Sequence, residues 1–159
     1  MPNNRTLLTA IGLFCLAMIG IALYLQHGLD MLPCPLCVIQ RYAFLFAGLF
    51  ALLAAWVKPA RVWNGLALVA SITGLGYAGK HLYVLANPGF SCGIDPLETF
   101  LNKIPTATGM PWLFEANGLC EYAEYWMGLS IPQWSAIGFA AVSLALAYTL
   151  RRAWKTPAR

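Results

Sequence analysis

The sequence predicts an all-α membrane protein: a bundle of four transmembrane helices with two outer loops, forming one domain over residues 1–159. Three observations carry this reading. The 159 residues are 60% hydrophobic and only 10% charged, too little polar surface for a soluble domain of this length. The apolar residues are gathered into four blocks of roughly 20 residues, the length that crosses a bilayer. The charges between the blocks also segregate by sign and by side.

The first block, 7–25, reads "LLTAIGLFCLAMIGIALYL" and contains no charge. It exceeds the roughly 7–15 apolar residues of a signal-peptide core. The following "QHGLD" offers no small-residue cleavage site, so a retained span is expected. The second block, 38–57, is charge-free after Arg41. The third covers 62–79 and the fourth 134–150. In the third, Ala70, Gly74 and Ala78 recur at every fourth position, which lets helix backbones approach closely. The connection "KPAR" between blocks two and three is short enough to make those helices antiparallel neighbours.

The first outer loop spans about 26–37. The second spans about 80–133 and is interrupted by Pro88, Pro96, Pro105, Pro111 and Pro132. Within it Leu97, Phe100, Leu101 and Ile104 fall at amphipathic spacing. A short helix there would either lie in the membrane interface or cap the bundle.

Four spans place both termini and the 2–3 connection on one side. That side holds Arg5, Lys58, Arg61, Arg151, Arg152, Lys155 and Arg159 and no acidic residue. The other side holds Arg41, Lys80 and Lys103 with every Asp and Glu of the chain. Basic residues mark the cytoplasmic side, so the termini are expected inside and both loops outside. The net charge of +4 is thus a topology signal, and nucleic-acid binding is not expected.

Five cysteines remain to be explained. Cys15 lies mid-span, where a free cysteine behaves as a small hydrophobe. Cys34 and Cys37 fall in the first outer loop, Cys92 and Cys120 in the second. These four could form a metal site, a static disulfide framework or a redox relay. Zinc sites draw on tightly spaced ligand pairs, which Cys92 and Cys120 are not, and an oxidising compartment favours disulfides over thiolate ligation; no metal is expected. A bond between Cys92 and Cys120 would close a long loop and so stabilise. A C-x-x-C closes almost none, and its usual meaning is exchange chemistry. Cys37 begins the second span, where the helix dipole favours a thiolate. Arg41 stands one turn further along the same face and favours it too. An arginine at mid-membrane costs about 2.5–3.5 kcal/mol or more; here it can reach the interface, so an ordinary positive anchor is the alternative.

The segments "LQH", "PCPLCVIQR", "FSCGIDP" and "GLCEYAEYWMGLSIPQW" together resemble the DsbB family of bacterial inner-membrane proteins. The resemblance covers nearly the whole chain, with one cysteine pair in each outer loop. It implies a protein-dithiol:quinone oxidoreductase that reoxidises a periplasmic DsbA-like thiol oxidase of thioredoxin fold, sustaining disulfide formation. It further implies redox-active pairs Cys34–Cys37 and Cys92–Cys120. The partner would attack Cys92, Cys120 would then pair with Cys34 as an interloop intermediate, and Cys37 would be left facing ubiquinone or menaquinone beside Arg41. His81 resembles a family histidine near the quinone; an interfacial polar residue is its alternative. Vitamin-K-epoxide-reductase-like bundles also carry cysteine pairs, but there the C-x-x-C is expected late in the chain. DsbA itself is the standard example of a strong disulfide oxidant, at about −120 mV against about −180 to −210 mV for an oxidising glutathione buffer. Reoxidising such a partner therefore needs a stronger acceptor, which a lipid-soluble quinone supplies.

Overall fold

A computed structural model describes residues 3–87, 94–120, 122 and 124–155. Four long helices dominate it: α1 (Asn4–Gly28), α2 (Pro35–Trp56), α3 (Ala60–Ala86) and α7 (Ile131–Lys155). Between α3 and α7 lie three short helices, α4 (Ile94–Lys103), α5 (Pro105–Gly109) and α6 (Pro111–Phe114), and a hairpin of β1 (Tyr125–Trp126) and β2 (Leu129–Ser130). The long helices match the four expected apolar blocks and mostly overrun them, because the flanks continue the helix beyond the apolar stretch; α2 alone stops one residue short, with Val57 as its cap.

The starts of α2 and α7 follow from local sequence. Cys34 caps α2, its sulfur accepting from the Cys37 N–H, and Pro35 occupies the first turn, where its missing N–H costs nothing. The helix thus begins three residues before the apolar block, and Cys37 sits in its first turn. At α7, "SIPQ" forms half of a reciprocal cap: the Ser130 N–H donates to Gln133 Oε1 at 2.8 Å. The hairpin before it turns through Met127 and Gly128, with φ of 52° and 84°. Positive φ at both central residues is what a tight two-residue hairpin turn requires.

α3 packs between α2 and α7. Its buried face is Asn64, Ala67, Ser71, Gly74, Ala78 and His81. The fully buried stripe of small residues runs through Ala67 and Ser71, while Ala70 packs half-buried at its edge, because a helix turns every 3.6 residues. Gly74 leaves room for the Phe139 ring, which stacks on Phe44 at 3.8 Å between centroids. Polar groups on this seam are largely paired, though Asn64 Oδ1 is buried without a partner. The Ser71 hydroxyl donates to the Phe139 carbonyl at 3.2 Å, and Asn64 Nδ2 donates to Thr149 Oγ1 at 2.9 Å. Cys15 is 0% exposed and packs at Gly48 of α2, the hydrophobe role expected for it.

Three helices, α1, α2 and α7, are long and apolar enough to cross a membrane. α3 has the length but not the mean hydropathy, since Asn64, Ser71 and His81 lie on its buried face. Its outward residues Val62, Leu66, Val69 and Ile72 are apolar and exposed. In the second loop, the expected amphipathic segment does form α4. Leu101 is buried in a cluster with Val38, Ala107 and Phe114, whereas Phe100 is exposed. That contact ties α4 to the top of the bundle.

Candidate functional site

The head of α2 places two thiols where three elements meet. Cys34 Sγ donates to Cys37 Sγ at 3.3 Å, and both are free thiols. From α3, His81 presents Nε2 at 3.9 Å from Cys34 Sγ and Nδ1 at 4.0 Å from Cys37 Sγ. His81 is 3% exposed. The hydrogen bond to Cys37, then burial and the Cys37 charge, push the Cys34 thiol well above the ordinary thiol range. The pair is therefore asymmetric: Cys34 keeps a proton and Cys37 is the acceptor.

The second loop is docked on the first. The N–H groups of Asn117 and Gly118 both donate to the Pro33 carbonyl at 3.0 Å. Gly118 is required there, because a Cβ would strike the Leu32 carbonyl and lie 3.0 Å from the Cys34 nitrogen. This docking puts Cys120 into one buried cluster with Cys34, Leu36 and Val84. Cys120 is disulfide-bonded. Its expected partner, Cys92, lies outside the described residues.

Arg41 is 6% exposed, buried more deeply than an interfacial anchor would be. Its guanidinium donates to Gln26 Oε1 at 2.6 Å, to the Leu113 carbonyl at 2.8 Å and to the Ala22 carbonyl at 3.4 Å. These bonds join α1, α2 and the second loop, and the charge is also coupled to both sulfurs. Pairing with three oxygens is what makes a buried guanidinium tolerable.

Beside the thiols is a cavity of about 520 Å³, lined mostly by apolar side chains and reached by Cys37, Gln40, Arg41 and His81. Phe14 and Ile21 of α1 and Ile137 of α7 line it and are also exposed on the outside of the bundle, so it opens sideways between those helices. Gln40 is 3% exposed, and its Nε2 is buried with no hydrogen-bond partner. A buried donor left unmet costs about 1–3 kcal/mol, which an acceptor in the cavity would recover. At the cavity mouth, desolvation and then the Cys37 charge raise the Glu124 carboxyl above its ordinary value.

Of the expected site residues, the fold brings together Cys34, Cys37, His81, Arg41 and Cys120. Sequence reading missed the roles of Gln26, Gln40 and Glu124. Gln26 belongs to the quoted "LQH", and Gln40 precedes Arg41 directly. Both are uncharged polar residues at the outer end of an apolar helix, Gln26 in the last turn of α1 and Gln40 near the start of α2, and that was the available signal.

The fold and site define a class: a helical, membrane-type protein with an asymmetric dithiol at a helix head above an apolar cavity. The chain belongs to the DsbB family; the profile of that family, described as "Disulfide bond formation protein DsbB", matches residues 4–149. A relative from Herminiimonas arsenicoxydans named "Disulfide bond formation protein B" is 52% identical over 156 residues, covering 96% of this chain and 98% of its own. Relatives of the same name from Cupriavidus metallidurans and Ralstonia nicotianae are 43% and 42% identical, each covering 94% of this chain and, respectively, 94% and 96% of their own.

Proposed function

We propose that this chain is a disulfide oxidoreductase of the bacterial inner membrane that reoxidises a periplasmic DsbA-like thiol oxidase and passes the electrons to a membrane quinone. The observation that carries the reading is the Cys34–Cys37 pair, joined by Cys120 on one side and opening on the other to an apolar cavity with an unmet donor at Gln40. In this reading α3 is the fourth span, its polar face turned to the bundle and its apolar face to lipid. The termini are cytoplasmic and the cysteine loops periplasmic.

The exchange steps balance as follows. In the oxidised protein the pairs are Cys34–Cys37 and Cys92–Cys120. A thiolate of the reduced partner attacks Cys92, forming a mixed disulfide and releasing Cys120 as a thiolate. Cys120 attacks Cys34, forming Cys34–Cys120 and releasing Cys37 as a thiolate. The partner's second thiol resolves the mixed disulfide, so the partner leaves oxidised and Cys92 becomes a thiol. Cys92 then attacks Cys120, restoring Cys92–Cys120 and returning Cys34 as a thiol. Each step is thiolate–disulfide exchange, and the net result is one reduced Cys34–Cys37 pair.

A bound ubiquinone or menaquinone supplies a sink for the two electrons and two protons of that dithiol. The residues at the cavity fit a planar, apolar group bearing carbonyl oxygens. Gln40 and Arg41 offer donors, His81 can relay a proton, and the apolar lining accepts the ring and tail.

The test is anaerobic quinone reduction by the purified chain supplied with a reduced DsbA-like partner. Loss of quinone absorbance is expected with wild type and not with Cys37→Ser. Intact reduction in Cys37→Ser or in Arg41→His would overturn the mechanism. No reduction with any quinone would leave a non-catalytic scaffold with stapled loops.

A further inference from the structure

The sulfurs of Cys34 and Cys37 and a ring nitrogen of His81 all lie within 4.8 Å of one another. Two thiols and an imidazole are the ligand types of tetrahedral zinc sites, with metal–sulfur distances of about 2.3 Å and metal–nitrogen distances of about 2.0–2.1 Å. Such distances separate neighbouring ligand atoms by roughly 3.5–3.8 Å. The sulfurs are 3.3 Å apart, and the imidazole now turns Nε2 to Cys34 at 3.9 Å and Nδ1 to Cys37 at 4.0 Å. A single ring nitrogen lies within 4.8 Å of both sulfurs, so a turn of the ring and of the thiol side chains brings three donors onto one centre. The backbone is already fixed, because Cys34 and Cys37 share a helix head and His81 sits on the packed face of α3. Cys37 lies at the cavity, which leaves the fourth position facing open space.

We infer that the reduced Cys34–Cys37 pair and His81 form a binding site for a zinc-class divalent cation, and that occupation locks the pair in its reduced state. Charge supports the assignment. Two thiolates and a neutral imidazole around a divalent cation sum to zero, which a buried site tolerates better than a lone thiolate. Binding releases protons, as metal ligation by thiols does generally. The site is gated by redox state, since a Cys34–Cys37 disulfide removes two of the three donors. A ligated sulfur shares a lone pair with the metal and is a weaker nucleophile and reductant, so the metal acts as a reversible inhibitor. The inhibition rests on the function proposed above, whereas the binding does not.

The experiment uses the Cys92→Ser/Cys120→Ser chain in detergent, which confines reducible pairs to Cys34 and Cys37. Co²⁺ is titrated into the reduced and the oxidised protein, and the visible bands of a tetrahedral thiolate complex are recorded. One equivalent is expected to bind the reduced protein and none the oxidised form, with Zn²⁺ displacing the bands. Loss of a ligand should weaken binding at least as much as loss of a supporting contact, about 10–100-fold; His81→Ala is therefore expected to lose tenfold or more, and His81→Cys to retain tight binding. Absence of bands in the reduced protein, or equal binding in His81→Ala, would overturn the site. In wild type, Zn²⁺ should stop quinone reduction until a chelator is added. Tight binding without inhibition would overturn the lock. A chain that reduces no quinone under any condition refutes the proposed function, while the Co²⁺ titration still decides the site.

Discussion

Cys34 and Cys37 are chemically identical side chains made unequal by position. The hydrogen bond between them, with burial, leaves the proton on Cys34. A raised pKa means the thiolate is scarce at a given pH. Cys34 should therefore alkylate only above the pH that suffices for an ordinary thiol, and Cys37 should react first. In Cys37→Ser the acceptor sulfur is gone and the Cys34 profile should move to lower pH. Iodoacetamide labelling across pH, read by peptide mass, checks both; a Cys34 profile that stays put in Cys37→Ser would refute the pairing. Arg41 depends similarly on Gln26. Gln26→Ala removes a hydrogen bond to a charged group worth about 1.5–3 kcal/mol, and the guanidinium loses its tie to α1. Quinone reduction should fall by about tenfold or more, while the alkylation order of the two thiols stays as in wild type.

At the scale of elements, two contacts position the site. The α3–α7 seam holds His81 at the thiols, and it closes only because residue 74 has no side chain. Gly74→Leu drives a side chain into Phe139; overpacking of this kind costs about 1–3 kcal/mol, and the thermal midpoint in detergent should fall accordingly. The second contact is the loop pairing at Pro33, with Asn117 and Gly118. Gly118→Ala puts a methyl group against the Leu32 carbonyl and should part Cys120 from Cys34. In the Cys37→Ser background, where Cys34 has no neighbouring thiol, Cys34–Cys120 crosslinking is expected to accumulate. Adding Gly118→Ala should abolish it on non-reducing gels; an undiminished crosslink would show that the loops meet by another route.

For the molecule as a whole, exposed aromatic residues cluster at both ends of the bundle. Trp56 and Trp154 are exposed at one end, with Arg5 lying 4.6 Å over the Trp56 ring. Tyr24, Tyr83 and Tyr125 are exposed at the other. Leu13, Val69, Ile72 and Leu144 are exposed between them. Aromatic residues favour membrane–water interfaces, so the two groups mark the borders of an apolar belt. With the basic residues on the Trp56 side, the expected orientation puts that end in the cytoplasm. Single cysteines introduced at Leu29 and Arg151 in a cysteine-free background test it. An impermeant maleimide should label Leu29→Cys in whole cells with an opened outer membrane, and Arg151→Cys only after the inner membrane is breached. Labelling of both in intact cells would reject the orientation.

The helical class, the four apolar blocks and the importance of the C-x-x-C with its arginine were legible in sequence because they are local properties. Hydrophobic block length, charge side and short-range spacing need no knowledge of what packs where. Even the reading of Cys15 as core follows from its apolar neighbours alone. The partners of Arg41 were not legible, since Gln26 and the Leu113 carbonyl are 15 and 72 residues away from it. Nor was the convergence of His81 on both thiols, across 44 and 47 residues, or the unmet donor of Gln40. Those depend on which helix faces close on one another, and that is decided by the fit of Gly74 to Phe139 and of Gly118 to the Leu32 carbonyl. The sequence by itself determined where the apolar helices, the C-x-x-C and its arginine fall; tertiary packing alone decided what each of these side chains touches, because side-chain contacts between distant segments exist only once those surfaces have met.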